Sequence, residues 1–304
     1  MNRRNFISKS VLAASASTLT TSAFAEKTNV ATKFKMLYAP HFGMFENSAG
    51  KDLFDQLKFM ADNGFMALED NGMLKRTTEV QSKIGETLTK LGMKMGVFVI
   101  DGGDNWKTSL ATGKKEFLEN FLKTCRESVE TAKRCNAKFM TVVPGYFERN
   151  LPMGIQTANV IDALRRASDI FEPHNLTMVL EPLSDNADLF LRHSDQTYMI
   201  CKAVNSPSCK ILFDMWHMQR NEGRMTQHMD WAWEEIAYFQ IGDEPGRKEP
   251  TTGEVNYKAL FKHIYEKAQP NKQDFIMGME HGNFYKGKEG EAKLIEAYQW
   301  SDNF

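Results

Sequence analysis

Short runs rich in β-branched, aromatic and other apolar residues begin near Phe34, Phe65, Met95, Phe139, Thr177, Cys209, Ile236 and Phe275. Continuous apolar runs of this kind suit parallel strands buried on both faces. Roughly 27 to 44 residues separate successive starts, and helical periodicity fills nearly every gap. Helices are predicted over Asp52–Asn63, Thr78–Leu91, Lys115–Arg134, Thr157–Pro173 and Tyr257–Lys267. Gly64 and Gly92 stand where a helix should stop before the next strand. Alternating β and α units imply crossover connections with the helices outside. Eight of them over about 280 residues match a (β/α)8 TIM barrel better than an open sheet. No linker or low-complexity tract interrupts the chain after residue 30, so residues 26–304 read as a single α/β domain.

Four of the apolar runs end abruptly in a polar side chain: Glu181 in TMVLEP, Asp214 in KILFDMWH, Gln240 in IAYFQIGD and Glu280 in FIMGMEHG. In a barrel these would be the ends of strands 5, 6, 7 and 8, which are neighbours, and sites of this fold are built at the C-terminal ends of strands. Three carboxylates and an amide oxygen make a hard, all-oxygen shell suited to Mn²⁺ or Mg²⁺, with Co²⁺ or Zn²⁺ as alternatives. A cation holding a carbonyl and its neighbouring hydroxyl would acidify the C–H between them and stabilise the enediolate formed. One glutamate would remove the proton and the other return it, on the adjacent carbon or the opposite face.

Other residues gather near these ends. His217 lies three positions after Asp214 and would donate to a substrate oxygen. Arg247, in GDEPGR, would hold a substrate oxygen or the Glu244 carboxylate. Trp106, in the DGGDNW loop after strand 3, would stack on a sugar or anchor its loop. Glu69 and His41, near the ends of strands 2 and 1, read as rim hydrogen-bonding groups, and Trp231 and Trp233 as packing. No GxGxxG, GxSxG or HExxH motif occurs, which removes the usual signatures of dinucleotide binding, serine hydrolysis and zinc proteolysis.

The N-terminus carries a different message. Arg3-Arg4-Asn5-Phe6-Ile7, a weakly apolar stretch and Ala23-Phe24-Ala25 together form a twin-arginine signal peptide over residues 1–25. Such a signal exports proteins already folded, often with metal loaded, so the expected destination is a bacterial periplasm or an equivalent exported compartment. Removing it deletes three basic residues from 38 and none of the 39 acidic ones, leaving a net charge of −4. A mildly acidic body argues against nucleic acid or an anionic membrane as a partner. No other segment approaches the ~20 apolar residues of a membrane span. Cys125, Cys135, Cys201 and Cys209 show no metal spacing and read as buried thiols, with a Cys201–Cys209 disulfide as the alternative in an oxidising compartment.

Two stretches carry a family resemblance. Phe213-Asp214-Met215-Trp216-His217-Met218-Gln219-Arg220-Asn221-Glu222-Gly223 resembles the (Y/F)D-x-(Y/W)HMQR-x-EG segment of hydroxypyruvate isomerases. Phe239-Gln240-Ile241-Gly242-Asp243-Glu244-Pro245-Gly246-Arg247, with the following Glu249-Pro250, Gly253-Glu254 and Asn256-Tyr257, is similar to their IQIAD-x-PGR-x-EP-x-TGE-x-NY stretch. A wider likeness to xylose isomerase-like barrels, including ketose 3-epimerases, covers about residues 34–285. The resemblance implies a metal held by Glu181, Asp214, Gln240 and Glu280, with Glu181 and Glu280 as the acid/base pair and His217 and Arg247 on the substrate. It implies a sugar isomerase or epimerase acting on a small carbohydrate, in a barrel type that often pairs into homo-oligomers. The family's E-Y-K-P becomes Glu280-His281-Gly282-Asn283, which loses a lysine suited to a substrate carboxylate and points to a neutral sugar or keto-sugar. Competing readings are a lyase on keto-glycosides with the same chemistry and a non-catalytic periplasmic sugar-binding barrel. A nuclease of the endonuclease IV type is disfavoured. Such enzymes need a His-rich zinc centre, whereas strands 2, 3 and 7 here end in Glu69, Asp101 and Gln240.

Overall fold

Strand pairing in the computed structural model, which describes residues 34–101 and 109–304, is parallel throughout. The strands are β1 (Leu37–Ala39), β2 (Ala67–Leu68), β3 (Lys94–Val99), β4 (Ala137–Val142), β5 (Thr177–Leu180), β6 (Cys209–Asp214), β7 (Ile236–Gln240) and β8 (Ile276–Gly278). They run β1-β8-β7-β6-β5-β4-β3-β2 around the sheet. Between β1 and β2 the chain continues the ladder just beyond both strands. Glu69 N donates to Pro40 O at 2.9 Å, and His41 bridges Glu69 in parallel. The result is a nearly closed eight-stranded TIM barrel.

Ten helices surround it among the described residues: α1 (Glu46–Ala49), α2 (Leu53–Asp62), α3 (Thr78–Leu91), α4 (Lys115–Cys135), α5 (Met153–Phe171), α6 (Ser194–Val204), α7 (Met215–Asn221), α8 (Met225–Ala232), α9 (Tyr257–Ala268) and α10 (Gly287–Asp302). The best-predicted ones have strong local signals. Asp52 caps α2 by accepting from Phe54 N and Asp55 N, and Gly92 ends α3 in the left-handed region at φ 68°. Helix α5 begins a turn earlier than its apolar pattern suggested. Gln156 explains this: its side chain bonds Glu148 N, Glu148 O and Leu151 O, pinning the loop to the first turn. Strand β1 starts later than Phe34 because Lys35 N and Met36 N donate to the Asp302 carboxylate rather than to a neighbouring strand. Helix α10, which carries Asp302, follows the last strand and was not among the helices expected. The four cysteines are buried free thiols. Trp233 packs on Phe239 and Phe275, whereas Trp231 is 60% exposed. Among the described residues no helix is long and apolar enough to cross a membrane.

Successive side chains on a strand alternate between faces, and this parity builds the site. Ala67, Val97, Val179, Leu212, Tyr238 and Ile276 form one layer of the barrel interior, apart from the larger core beneath the helices. Two residues further along, the same parity aims Glu69, Glu181, Asp214, Gln240 and Gly278 inward. Pairing of Asp214 with Gln240 and of Gln240 with Gly278 keeps three of these at one height, and Glu280 lies one inward step beyond Gly278.

Candidate active site

Asp214, Gln240 and Glu181 are buried, and Glu280 has a side chain 28% exposed at the bottom of an open cup. Glu181, Glu280, His217, Arg247 and Asp185 line one cavity of about 270 Å³, whose remaining wall is Asn71 and the apolar Val99, Val143 and Leu183. Of the four expected strand-end residues, Glu181 and Glu280 line this cavity with His217 and Arg247, Asp214 is joined to Glu280 through Arg247, and Gln240 pairs with Asp214 in the sheet. Trp106 lies outside the described residues.

Each carboxylate is placed by its backbone context. Asp214 caps α7: its Oδ1 accepts from Trp216 N at 2.7 Å and His217 N at 3.1 Å, leaving Oδ2 for the cup. Arg247 Nη2 donates to that Oδ2 and to Glu280 Oε2, both at 2.8 Å, while its Nε donates to Glu280 O. The guanidinium lies over the Trp216 ring, 4.5 Å from the centroid. Its expected alternative partner, Glu244, instead faces Arg220 at 3.5 Å. Arg247 also has φ 48°, a left-handed backbone that costs a non-glycine residue about 1–2 kcal/mol and is held by the Gly282 N bond to Arg247 O.

His217 is 1% exposed, and its tautomer is set by the backbone. Ser184 N donates to His217 Nδ1 at 3.0 Å, and a main-chain amide can only donate. Burial lowers the pKa of His217 with Arg247 assisting, against Asp214, so the ring is neutral and its proton sits on Nε2. Arg247 Nη1 is a second obligate donor, 3.2 Å from Nε2, but this contact is longer and made by a side chain that can turn, so the fixed amide decides the tautomer. The Nε2–H group faces Glu181 Oε1 and Asp185 Oδ2, each 3.7 Å away, a gap that suits an incoming oxygen.

Glu69 is deeper than a rim residue, and this corrects the sequence reading. It is 2% exposed, accepts from Tyr238 OH at 2.8 Å on Oε2, and accepts from Gln240 Nε2 at 2.9 Å on Oε1. The second bond fixes the amide so that Gln240 Oε1 points elsewhere, and this buried oxygen has no protein partner. Gly278 makes the arrangement possible: a Cβ there would lie 2.8 Å from Glu69 Cδ and still closer to Oε2. His41 follows β1, with ring nitrogens facing Phe42 O and His281 O, and ties the β1 end to the loop after β8. Asn71, unremarked in the sequence, donates to Glu280 Oε1 at 3.0 Å.

Glu181, Asp214 and Glu280 thus converge on the guanidinium of Arg247, and Glu69 adds a fourth carboxyl behind Gln240. Burial first, then Glu280 and Asp214, pushes the Glu181 carboxyl well above the usual range, with Arg247 opposing. Burial raises Glu280 to about 7, again against Arg247 and with Asp214 adding. Burial and Glu280 raise Glu69, partly offset by its bonds from Tyr238 and Gln240. Burial works against the Arg247 cation, but Asp214 and Glu280 outweigh it and raise its pKa. Crowded carboxylates beside an orphaned amide oxygen leave negative charge and a lone pair that a cation could take. Glu181, Asp214 and His217 bring ligand atoms within 4.8 Å of one another, close enough to hold a metal ion. The protonated Nε2 favours Gln240 Oε1 over His217 as the further ligand, because a nitrogen carrying hydrogen has no lone pair to give.

A barrel with its polar cup at the C-terminal ends of β5 to β8 defines a class, and the chain matches the xylose isomerase-like TIM barrel family over residues 57–303. It belongs to that family. Hydroxypyruvate isomerase of Escherichia coli is 37% identical over 111 residues, 35% of this chain and 42% of that enzyme. The 2-oxo-tetronate isomerase of Pectobacterium atrosepticum is 26% identical over 216 residues, 69% of this chain and 80% of the relative. Among solved structures, 3-keto-D-glucoside 4-epimerase of Escherichia coli aligns with a TM-score of 0.70 at 18% identity, covering 89% of this chain and all of the other. An AP endonuclease, family 2, of Brucella melitensis aligns with a TM-score of 0.71 at 20% identity, covering 85% and 98%. At these identities the two structures report the fold alone.

Proposed function

We propose that this protein is a metal-dependent sugar or keto-sugar isomerase or epimerase in which Glu181 and Glu280 exchange a proton with substrate carbon. The observation that carries the reading is that Glu181 and Glu280 line one cavity, with Asp214 bonded to the same guanidinium as Glu280 and the partnerless Gln240 oxygen on the neighbouring strand. The isomerase relatives support it. Glu181, Asp214, Gln240 and Glu280 would hold a divalent cation, Mn²⁺ or Mg²⁺ by the hardness of the donors. When bound, the cation supplies Lewis-acid polarisation of the substrate carbonyl.

The protein's own groups do the rest. A glutamate whose pKa is raised toward neutrality is a competent base for a C–H made acidic by a neighbouring carbonyl, and its partner can serve as the acid. Return of the proton to the adjacent carbon gives isomerisation, and return to the opposite face of the same carbon gives epimerisation. His217 Nε2–H donates to a substrate oxygen beside Glu181. Arg247 donates to both the Glu280 and Asp214 carboxylates and keeps them oriented in the cup. Val99, Val143 and Leu183 exclude water from the reacting carbon. The test strips metal with a chelator, restores Mn²⁺ or Mg²⁺, and follows a panel of ketoses by NMR. Metal-dependent appearance of an isomer or epimer is expected. Equal conversion by the stripped protein, or no conversion of any ketose after restoration, would overturn the reading.

A further inference from the structure

One acidic side chain in the cup has no task in this proton transfer. Asp185 lies in the loop after β5, four residues beyond Glu181, and its carboxylate lines the same cavity. Its side chain is 40% exposed, and its Oδ2 lies 3.7 Å from His217 Nε2. Because Nδ1 accepts from the backbone amide of Ser184, Nε2 is the nitrogen that donates. A donor and an acceptor at this separation suit one bridging hydroxyl group, whose oxygen accepts from His217 and whose hydrogen goes to Asp185. A carboxylate oxygen in the same place could accept from His217 but has no hydrogen for Asp185, and two like charges would face each other.

The remaining charges do not compensate. Arg247, the cation that lines the cavity, is already shared by Asp214 and Glu280. Lys248 follows it in sequence but carries its Nζ to Gly282, 2.8 Å from where a Cβ would stand, and takes no part in the cavity wall. The glycine occupies the place where the resembled motif has lysine.

We propose that Asp185 determines specificity: with His217 it selects neutral keto-sugars that carry a hydroxyl beside the reacting carbonyl and disfavours substrates with a carboxylate there. The inference rests on the reading of the cup as a keto-sugar site and narrows it. It separates this chain from its named relatives, since hydroxypyruvate and 2-oxo-tetronate are both acids.

Dihydroxyacetone and hydroxypyruvate form a matched pair of probes, differing in a hydroxymethyl against a carboxylate beside the same ketone. Binding of each to the Mn²⁺-loaded protein is measured by titration calorimetry, independently of turnover. The expected result is about tenfold tighter binding of dihydroxyacetone by the wild type, the scale of one like-charge contact at a partly exposed site. Asp185→Asn and Asp185→Ser should each shrink that ratio about tenfold. A wild type that does not favour the neutral ligand, or a ratio unchanged in both variants, overturns the proposal. Solvent deuterium entering dihydroxyacetone is followed in parallel. Absent exchange with the expected binding ratios would sink the proposed reaction and leave the role of Asp185 standing.

Discussion

Replacing Gly278 by alanine tests how the cup is built from below. The added Cβ would lie 2.8 Å from Glu69 Cδ and 3.0 Å from Gln240 Cγ, with Oε2 of Glu69 nearer still, so the carboxylate must move. Its departure breaks the bonds from Tyr238 OH and Gln240 Nε2, both fully buried. Leaving either buried donor without its partner costs about 1–3 kcal/mol. Overpacking adds about 1–3 kcal/mol, and the lower chain entropy of alanine returns up to about 1 kcal/mol. Partial relaxation should leave a net loss of about 3 kcal/mol, which lowers the Tm by about 6–12 °C in a domain of this size. The sharper signature is on metal. Once Gln240 loses the partner that orients its amide, Mn²⁺ affinity should fall about tenfold or more, as for other outer-shell partners of metal ligands. Thermal unfolding by circular dichroism and Mn²⁺ titration by EPR read the two effects. Gly154→Ala is the control, since a Cβ there meets nothing within 4 Å. Unchanged Tm and unchanged Mn²⁺ affinity in Gly278→Ala would refute the claim that Glu69 orients Gln240.

Arg247→Met should abolish most turnover by releasing Asp214 and Glu280 while leaving Mn²⁺ affinity equal or higher, because one competing cation is gone; Mn²⁺ titration beside a turnover assay checks both. Arg247→Lys should rescue poorly, since a lysine cannot reproduce the three-pronged contact and the stacking on Trp216. Adding Mn²⁺ at about one hundred times its Kd should stabilise the stripped protein by about 2.7 kcal/mol, a Tm rise of about 5–10 °C by scanning calorimetry, and Asp214→Asn should lose most of that rise. Expression in a bacterium with an intact twin-arginine pathway should yield a periplasmic protein whose first residue by N-terminal sequencing is Glu26, and Arg3→Lys with Arg4→Lys should retain it in the cytoplasm.

Much of the frame was legible because local and global signals agree. Helix α3 matches its expected limits, having Thr77 as its N-cap and a left-handed Gly92 at its end. The four strand ends were legible because each closes an apolar run with a polar residue, and neighbouring strands then bring them together. Depth was harder to read. Glu69 follows a two-residue strand, too short for its parity to stand out, and its burial depends on the absence of a side chain at Gly278, more than two hundred residues away in sequence. Arg247 was read as facing Glu244 or substrate, since its bonds to Asp214 and Glu280 arise only from the left-handed turn that carries it over the cup. The tautomer of His217 rests on Ser184 N, a backbone group that no residue type announces. Helix α10 (Gly287–Asp302) was missed because its buried face carries only Leu294 and Tyr298 as large apolar residues among Gly290, Glu291, Ser301 and Asp302, and it is fixed by Asp302 capping the start of β1.

Solvent exchange tests the central claim, that Glu181 and Glu280 move protons at carbon, most directly. The Mn²⁺-loaded protein is incubated in D₂O with neutral ketoses, and deuterium at the carbon next to the carbonyl is followed by NMR. The wild type should exchange that position. Glu181→Gln and Glu280→Gln should each slow exchange by at least about a hundredfold, the contribution typical of a positioned acid or base. Wild-type exchange rates retained in both variants would contradict the account.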